Sequence, residues 1–103
     1  MRTGSHLRLP RERIVEFCHK HHIRKLSLFG SVLRDDFGPD SDVDVLVEFE
    51  PGHSPSMLRF VRMEQELTAI IGGRKVDLIT AKSLSRRLRD QVLATAEIQY
   101  AEG

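Results

Sequence analysis

Apolar residues recur three or four positions apart in three stretches of the chain, a spacing typical of helices that pack by one face. The first helix is predicted over residues 10–22, with Pro10 in its first turn. The second is predicted over residues 54–71, with Ser54 as N-cap and Gly72-Gly73 as the stop. Its expected core stripe consists of Leu58, Val61, Leu67, Ile70 and Ile71, widened by Met57, Phe60 and Met63, and part of it is left for a partner.

Three strand-like stretches lie between these helices, at residues 25–30 (KLSLFG), 42–49 (DVDVLVEF) and 75–79 (KVDLI). A polar, helix-competent segment, 31–37, and a turn, 38–41, separate the first two strands. A last helix is predicted after Thr80 or Ser83, along Leu84, Leu88, Val92 and Ala96, and a frayed tail with Tyr100 follows. This order predicts an α/β fold, a small sheet with helices packed mainly on one face.

The end of the first strand has the features of an anion site. Gly30 allows the backbone to approach a ligand closely, and Ser31 opens the helix-competent segment. A helix N-terminus offers unpaired N–H groups to an anion, and the Ser31 hydroxyl can add a hydrogen bond to a phosphate oxygen. We therefore expect a phosphate to bind at Gly30-Ser31.

Three aspartates indicate a site for divalent metal. Asp42 and Asp44 lie two positions apart at the start of a strand, so their side chains share one face. Carboxylates in that position repel one another unless a cation lies between them, and oxygen ligands suit Mg²⁺ or Mn²⁺. Asp77 could complete a two-metal site as ligand, general base or both, if its strand is adjacent. The expected substrate is a metal-bound nucleoside triphosphate.

The run GSVLRDDFGPDSDVDVLVEF resembles the signature of the minimal nucleotidyltransferase family, small relatives of the DNA polymerase β catalytic domain. The resemblance implies the polymerase β-like fold with a small mixed sheet. It also implies transfer of a nucleoside monophosphate, usually from ATP, to an acceptor hydroxyl with release of pyrophosphate. By position, Gly30 and Ser31 match the phosphate-binding pair, Asp42 and Asp44 the metal-binding pair, and Asp77 the third acid.

One further position and one departure bear on the triphosphate. Arg34 lies where relatives often carry an arginine near the triphosphate. The next position, often glycine in relatives, is Asp35, and Asp36 follows it. These two negative charges leave the role of residues 31–37 open.

The resemblance also implies a partner. Many small prokaryotic members are antitoxins encoded beside a HEPN-domain ribonuclease toxin, which they inactivate by adding AMP units to a toxin tyrosine. The first hypothesis is therefore a Mg²⁺-dependent protein adenylyltransferase with a HEPN partner, using two ions. One rival is an antitoxin that neutralises its toxin by binding alone. A second is nucleotidyl transfer to a small-molecule hydroxyl such as that of an aminoglycoside, which the absence of an acceptor domain disfavours.

Composition narrows the class of protein. A chain of 103 residues predicts one domain, 1–103, with a flexible N-terminal segment, 1–9. Sixteen basic against 15 acidic residues give a net charge of +1, which argues against direct nucleic-acid binding. The single Cys18 allows no internal disulfide, and no apolar run is long enough for a membrane span, so we expect a cytoplasmic setting.

Cys18 also begins a cluster with His19, His21 and His22 that could suggest zinc. Only Cys18 and His22 share a helix face, and no second ligand pair is evident in the sequence. We therefore expect a partly buried helix end at this position.

Overall fold

The structure is a computed structural model that describes residues 9–33, 38 and 41–102, and for Ser31 only its backbone. The elements in chain order are α1 (Arg11–Lys20), β1 (Ile23–Phe29), a 3₁₀ turn (Gly30–Leu33), β2 (Val43–Phe49), α2 (Met57–Ile70), β3 (Val76–Thr80), a 3₁₀ turn (Ala81–Ser83), α3 (Arg86–Thr95) and β4 (Glu97–Ala101). Within these ranges no helix has both the length and the apolar character needed to cross a bilayer.

The four strands form one mixed sheet in the order β3-β2-β1-β4. β1 runs antiparallel to both β2 and β4, whereas β2 and β3 are parallel. The parallel pair is connected through α2, as parallel strands require a crossover. The predicted α/β fold with a small mixed sheet is confirmed.

The two faces of the sheet are covered unequally. Val43, Val45 and Val47 of β2 lie in the main core with the buried residues of α1 and α2. Leu46, which points to the other face, belongs to a small second cluster with Phe29 and with Val92 of α3. The helices therefore pack mainly on one face, as predicted. By the same alternation, Asp44 lies on the face opposite α1.

Two helix boundaries differ from the prediction. α1 ends at Lys20, because His22 adopts a left-handed φ of 56° that a helix cannot continue, and β1 begins at Ile23. α2 begins at Met57 and not at Ser54. The reason is that the Ser56 hydroxyl, at 3.2 Å, accepts the hydrogen bond from the Arg59 N–H and is the real N-cap.

The C-terminal part contains the largest error of the sequence prediction. Neither Thr80 nor Ser83 caps α3; the Ser85 hydroxyl accepts from the Leu88 N–H at 3.3 Å, and the helix begins after it. The expected frayed tail is a fourth strand, β4, in which Tyr100 pairs with Leu26 of β1. This strand is only five residues long and its stability comes from a non-local partner, so the local pattern gave little signal for it.

The predicted core stripe of α2 is also partly wrong. Met63, Leu67 and Ile70 are buried, whereas Leu58 and Val61 remain 65% and 44% exposed. At 100° per residue, Leu58 and Val61 lie roughly 140–160° around the helix from Met63, so the stripe that faces the sheet excludes them. Met57, at the first position of the helix, is exposed as well.

The histidine-rich end of α1 is packed as expected for a helix end. Cys18 is fully buried, and burial raises the pKa of its thiol to about 12, which makes it a poor metal ligand and nucleophile. His21 is also buried, and its Nε2 hydrogen-bonds Glu66 Oε1 of α2 at 3.0 Å. Lys20 Nζ lies 3.2 Å from the other Glu66 oxygen. This contact joins α1 to α2.

Replacing Glu66 with glutamine should lower the free energy of unfolding by about 0.5–1 kcal/mol at pH 7. Partial burial raises the pKa of Glu66, but hydrogen bonds from His21 and Lys20 outweigh it and the pKa is lowered. A lowered pKa stabilises the fold above the ordinary value, 4.5, and this contribution is lost as the pH falls through the folded-state pKa. Urea unfolding at pH 7 and pH 3 measures the difference.

The control for this change is Glu16→Gln, which removes an exposed carboxylate on α1. It should leave the unfolding free energy at pH 7 within a few tenths of a kcal/mol of the parent. A Glu66→Gln variant with the same deficit at both pH values would contradict the role assigned to the carboxylate charge.

Candidate active site

Gly30 lies where β1 ends and the chain turns toward the second strand. Its φ of 75° is in the left-handed region, which favours glycine. A Cβ added to Gly30 would collide with Oδ2 of Asp44 and lie 3.2 Å from its Cγ. The Asp44 carboxylate therefore rests directly against the Gly30 backbone, an approach that no larger residue permits. The fully buried Val32 anchors the turn that follows.

Asp44 and Asp77 are neighbours across the sheet. Asp44 pairs with Phe29 on one side and, in parallel register, with Asp77 on the other. Residues in parallel register point to the same face, and neighbouring strands lie about 4.8 Å apart. Asp44 is partly buried and Asp77 exposed; Asp42, also exposed, lies directly before β2. The predicted adjacency of the Asp77 strand is thus present.

Two side chains of α2 hold the outer edge of β3, the strand that carries Asp77. The Thr68 hydroxyl accepts a hydrogen bond from the Val76 N–H at 3.2 Å, and Glu64 Oε2 accepts one from the Leu78 N–H at 2.8 Å. Both N–H groups would otherwise be open edge donors. The residues on either side of Asp77 are therefore fixed from both edges of the strand.

The two ends of the turn predicted over residues 38–41 are joined by a hydrogen bond from the Ser41 N–H to the Gly38 carbonyl, at 3.1 Å, and residues 39–40 lie outside the described part. The Ser41 hydroxyl accepts from the Gly38 N–H at 3.1 Å. Arg74, which precedes β3, donates from Nη1 to the Gly38 carbonyl at 3.0 Å. Arg74 thus links the two loops that lead into Asp42 and Asp77, a role that the sequence did not indicate.

The structure places four of the six predicted site residues with their surroundings, namely Gly30, Asp42, Asp44 and Asp77. The Ser31 backbone belongs to the 3₁₀ turn, and Arg34 lies outside the described residues. Of the helix-competent segment 31–37, residues 31–33 belong to this short turn, and residues 34–37 are likewise outside the described part.

The donor set suits a hard divalent cation. Carboxylate oxygens are the ligands that Mg²⁺ prefers, and Mg²⁺ needs only one or two of them beside water and phosphate oxygens. Because Gly30 has no Cβ, the Asp44 carboxylate lies directly against the backbone at the end of β1. Strand register joins Asp44 to Asp77, and Asp42 lies two positions before Asp44, just outside β2. Among the described residues, the group with three ligand atoms within 4.8 Å of one another is His22, Glu50 and His53, and not the three aspartates.

Comparison with known proteins identifies the family of this chain. Residues 11–99 match the family model described as a nucleotidyltransferase domain. The protein adenylyltransferase MntA of Thermococcus cleftensis is 40% identical over 78 residues, which cover 76% of each chain. A Methanocaldococcus jannaschii protein that is provisionally named a protein adenylyltransferase is 36% identical over 86 residues, covering 84% of this chain and 89% of that protein.

Solved structures show the same fold. One described as a minimal nucleotidyltransferase superposes with a TM-score of 0.69 at 38% identity, over 84% of this chain and 85% of that one. A toxin–antitoxin complex with AMP-PNP gives a TM-score of 0.72 at 21% identity, over 90% and 74%. An MNT antitoxin in complex with a tri-AMPylated Shewanella oneidensis HEPN toxin gives 0.60 at 20%, over 88% and 69%. The family model and the adenylyltransferase relatives together show that the chain belongs to the nucleotidyltransferase family.

Proposed function

We propose that this protein is an antitoxin that transfers AMP from ATP to a tyrosine hydroxyl of a HEPN-domain toxin. The observation that carries the proposal is the pairing of Asp44 with Asp77 beside the close contact of Asp44 with Gly30. Its relatives named as protein adenylyltransferases support the reaction class. The HEPN toxin of the Shewanella oneidensis complex supports the class of acceptor.

Asp42 and Asp44 would hold Mg²⁺, and Asp77 would share a second ion with Asp44. The bound metal supplies positive charge that offsets the charge of the triphosphate. Mn²⁺ has similar oxygen preferences and is the expected substitute. Gly30 brings the backbone close to the phosphates, and the hydroxyl of Ser31 and the guanidinium of Arg34 are proposed to bind phosphate oxygens.

In the proposed reaction the tyrosine oxygen attacks the α-phosphorus of ATP. A new P–O bond forms to the acceptor, and the bond from the α-phosphorus to the bridging oxygen breaks. Pyrophosphate leaves with that electron pair, and the Asp77 carboxylate accepts the phenolic proton. Asp77 is the exposed member of the pair, on the side from which an acceptor protein can approach. A cytoplasmic location is part of this proposal.

Binding without transfer is the second candidate function. Three apolar side chains at the start of α2 favour it, since Met57, Leu58 and Val61 are 84%, 65% and 44% exposed. An apolar patch on a helix is a typical docking surface for another protein. Such a surface serves an adenylyltransferase equally well, so the two candidates differ in whether AMP is transferred.

The direct test uses the HEPN-domain protein that this proposal expects to be encoded beside this chain. The two purified proteins are incubated with ATP labelled in its α-phosphate and with Mg²⁺. We expect the label on the HEPN protein, stable to denaturation and mapped by mass spectrometry to a tyrosine. Omission of Mg²⁺ should abolish it.

Two outcomes would contradict the proposal. A complex that forms without any label would favour neutralisation by binding. Label on an aminoglycoside or another small hydroxyl compound, and none on the HEPN protein, would favour the small-molecule reaction.

A further inference from the structure

A second group of metal-ligating side chains lies at the opposite end of the sheet from the aspartates. His22 follows α1, Glu50 follows β2, and His53 lies in the turn before α2. One ligand atom from each lies within 4.8 Å of the other two. Glu50 lies six positions after Asp44, which is about 20 Å along an extended strand. This group is therefore separate from the candidate active site.

Backbone hydrogen bonds hold the three residues together. The Glu50 N–H donates to the His22 carbonyl at 2.8 Å, and the His53 N–H donates to the Glu50 carbonyl at 3.0 Å. Pro51 and Gly52, with a φ of 81°, occupy the two central positions of this second turn, where Pro and a positive-φ Gly are favoured. The relative positions of the three side chains thus follow from the backbone and not from surface rotamers alone.

His22 carries a backbone conformation that histidine seldom adopts. Its φ of 56° is the one positive value among the non-glycine residues of the described ranges. Such a conformation costs of order 1–3 kcal/mol and persists where the surroundings hold it. Here it brings Nδ1 of His22 to 3.8 Å from Oε1 of Glu50 and stacks its ring on that of His53, with centroids 3.9 Å apart.

We propose that His22, Glu50 and His53 form a binding site for a divalent transition-metal ion of the Zn²⁺ type. Two imidazoles and one carboxylate are a donor set that zinc accepts, with a fourth position left for water. Mg²⁺ prefers all-oxygen ligands and is not expected to bind at this position. The site requires no contribution from the catalytic aspartates, so it does not depend on the proposed function.

The three ligand atoms are further apart than they would be around a bound ion, so binding would draw the side chains together. Ligands of tetrahedral zinc lie about 2.0–2.1 Å from the ion and hence about 3.3 Å from one another. His22 and His53 are exposed and Glu50 is partly buried, so their side chains are free to rotate inward. An imidazole nitrogen binds a metal through a lone pair in the plane of its ring. The two rings are stacked 17° from parallel, so they must rotate apart before both can bind one ion. The Glu102 carboxyl, a neighbour of Glu50, would move aside or become a further ligand.

A bound ion would join two parts of the chain, the turn between α1 and β1 and the turn that leads into α2. Since an ion that binds only the folded state stabilises it by mass action, we expect ZnCl₂ to raise the melting temperature. At a free concentration of 100 times Kd the rise should be about 10–20 °C for a domain of this size.

The experiment titrates the full chain with ZnCl₂ at pH 7.5, without ATP, by isothermal calorimetry and by NMR of the histidine side chains. We expect one ion per chain, shifts of the His22 and His53 ring protons as the stack opens, and a higher melting temperature. His22→Asn, which keeps a residue that tolerates positive φ, and His53→Gln should each weaken binding at least tenfold.

The matched control is His19→Gln, which removes an exposed histidine of α1 outside the group and should leave zinc affinity unchanged. Equal affinity in the parent and in both ligand variants would overturn the proposal. Binding of several ions per chain, without saturation below about 0.1 mM, would indicate adventitious histidine binding only and also overturn it. AMP transfer by His53→Gln with Mg²⁺ should equal that of the parent. A variant that loses zinc binding and keeps AMP transfer, or the reverse, therefore distinguishes this site from the proposed function.

Discussion

Replacing Asp44 with asparagine should reduce AMP transfer to the HEPN protein by at least about 10³-fold. Asparagine has nearly the shape of aspartate, so the close contact with Gly30 can remain while the charge is lost. Charge stabilisation by a metal at a reacting phosphate is worth several kcal/mol, and about 4 kcal/mol corresponds to three orders of magnitude in rate. Stability should be unchanged or slightly higher, since one of two neighbouring negative charges is removed. Initial rates with α-labelled ATP and thermal unfolding measure the two effects.

The matched control is Glu48→Gln. Glu48 lies on the same strand and face as Asp44, four residues toward the other end, where it is 3.9 Å from Lys25. It should leave the transfer rate within twofold of the parent. Transfer by Asp44→Asn within tenfold of the parent would contradict the metal-binding role. Protection of cells from the toxin by Asp44→Asn, without any transfer, would favour neutralisation by binding.

The parts of the site that lie close together in the sequence could be predicted from it. Alternation along a strand predicts Asp42 and Asp44 on one face, although β2 begins only at Val43, and the Gly-Ser pair after β1 marks the turn. That Asp77 lies beside Asp44 depends on a parallel pairing across α2, a non-local contact. The sequence alone left that pairing conditional, and the resemblance to a known family supplied the mixed sheet.

The errors also follow from non-local contacts. β4 is a short edge strand whose stability comes from pairing with β1, more than 70 residues earlier. The antiparallel pairing of β1 with β2 brings His22 next to Glu50 and His53. The sequence showed the histidines at the end of α1 but not these two partners. Ser54 and Ser56 are both good N-caps by residue type, so the sequence alone did not distinguish them, and the structure uses Ser56.

Replacing Gly30 with alanine should destabilise the fold by about 2–4 kcal/mol and reduce AMP transfer at least 100-fold. Two costs add. The left-handed φ of 75° is unfavourable for any residue with a Cβ, by about 1–2 kcal/mol. The new Cβ would also overlap Oδ2 of Asp44, so the carboxylate must move. A displacement of about 1 Å of a catalytic group can cost 10²-fold in rate. Urea unfolding and the labelled-ATP assay measure the two losses.

Gly72→Ala separates the two costs. Gly72 has a φ of 91°, but an added Cβ meets no atom within 4 Å. This variant should show only the conformational cost and retain full transfer. Likewise, Gly30→Ala introduced into an Asp44→Ala background should cost no more stability than Gly72→Ala, because the overlapping carboxylate is absent. If Gly30→Ala in the parent cost no more than Gly72→Ala and kept its transfer rate, the glycine would not be what positions Asp44. An excess cost that vanishes in the Asp44→Ala background would assign the requirement for glycine to the carboxylate that lies against it.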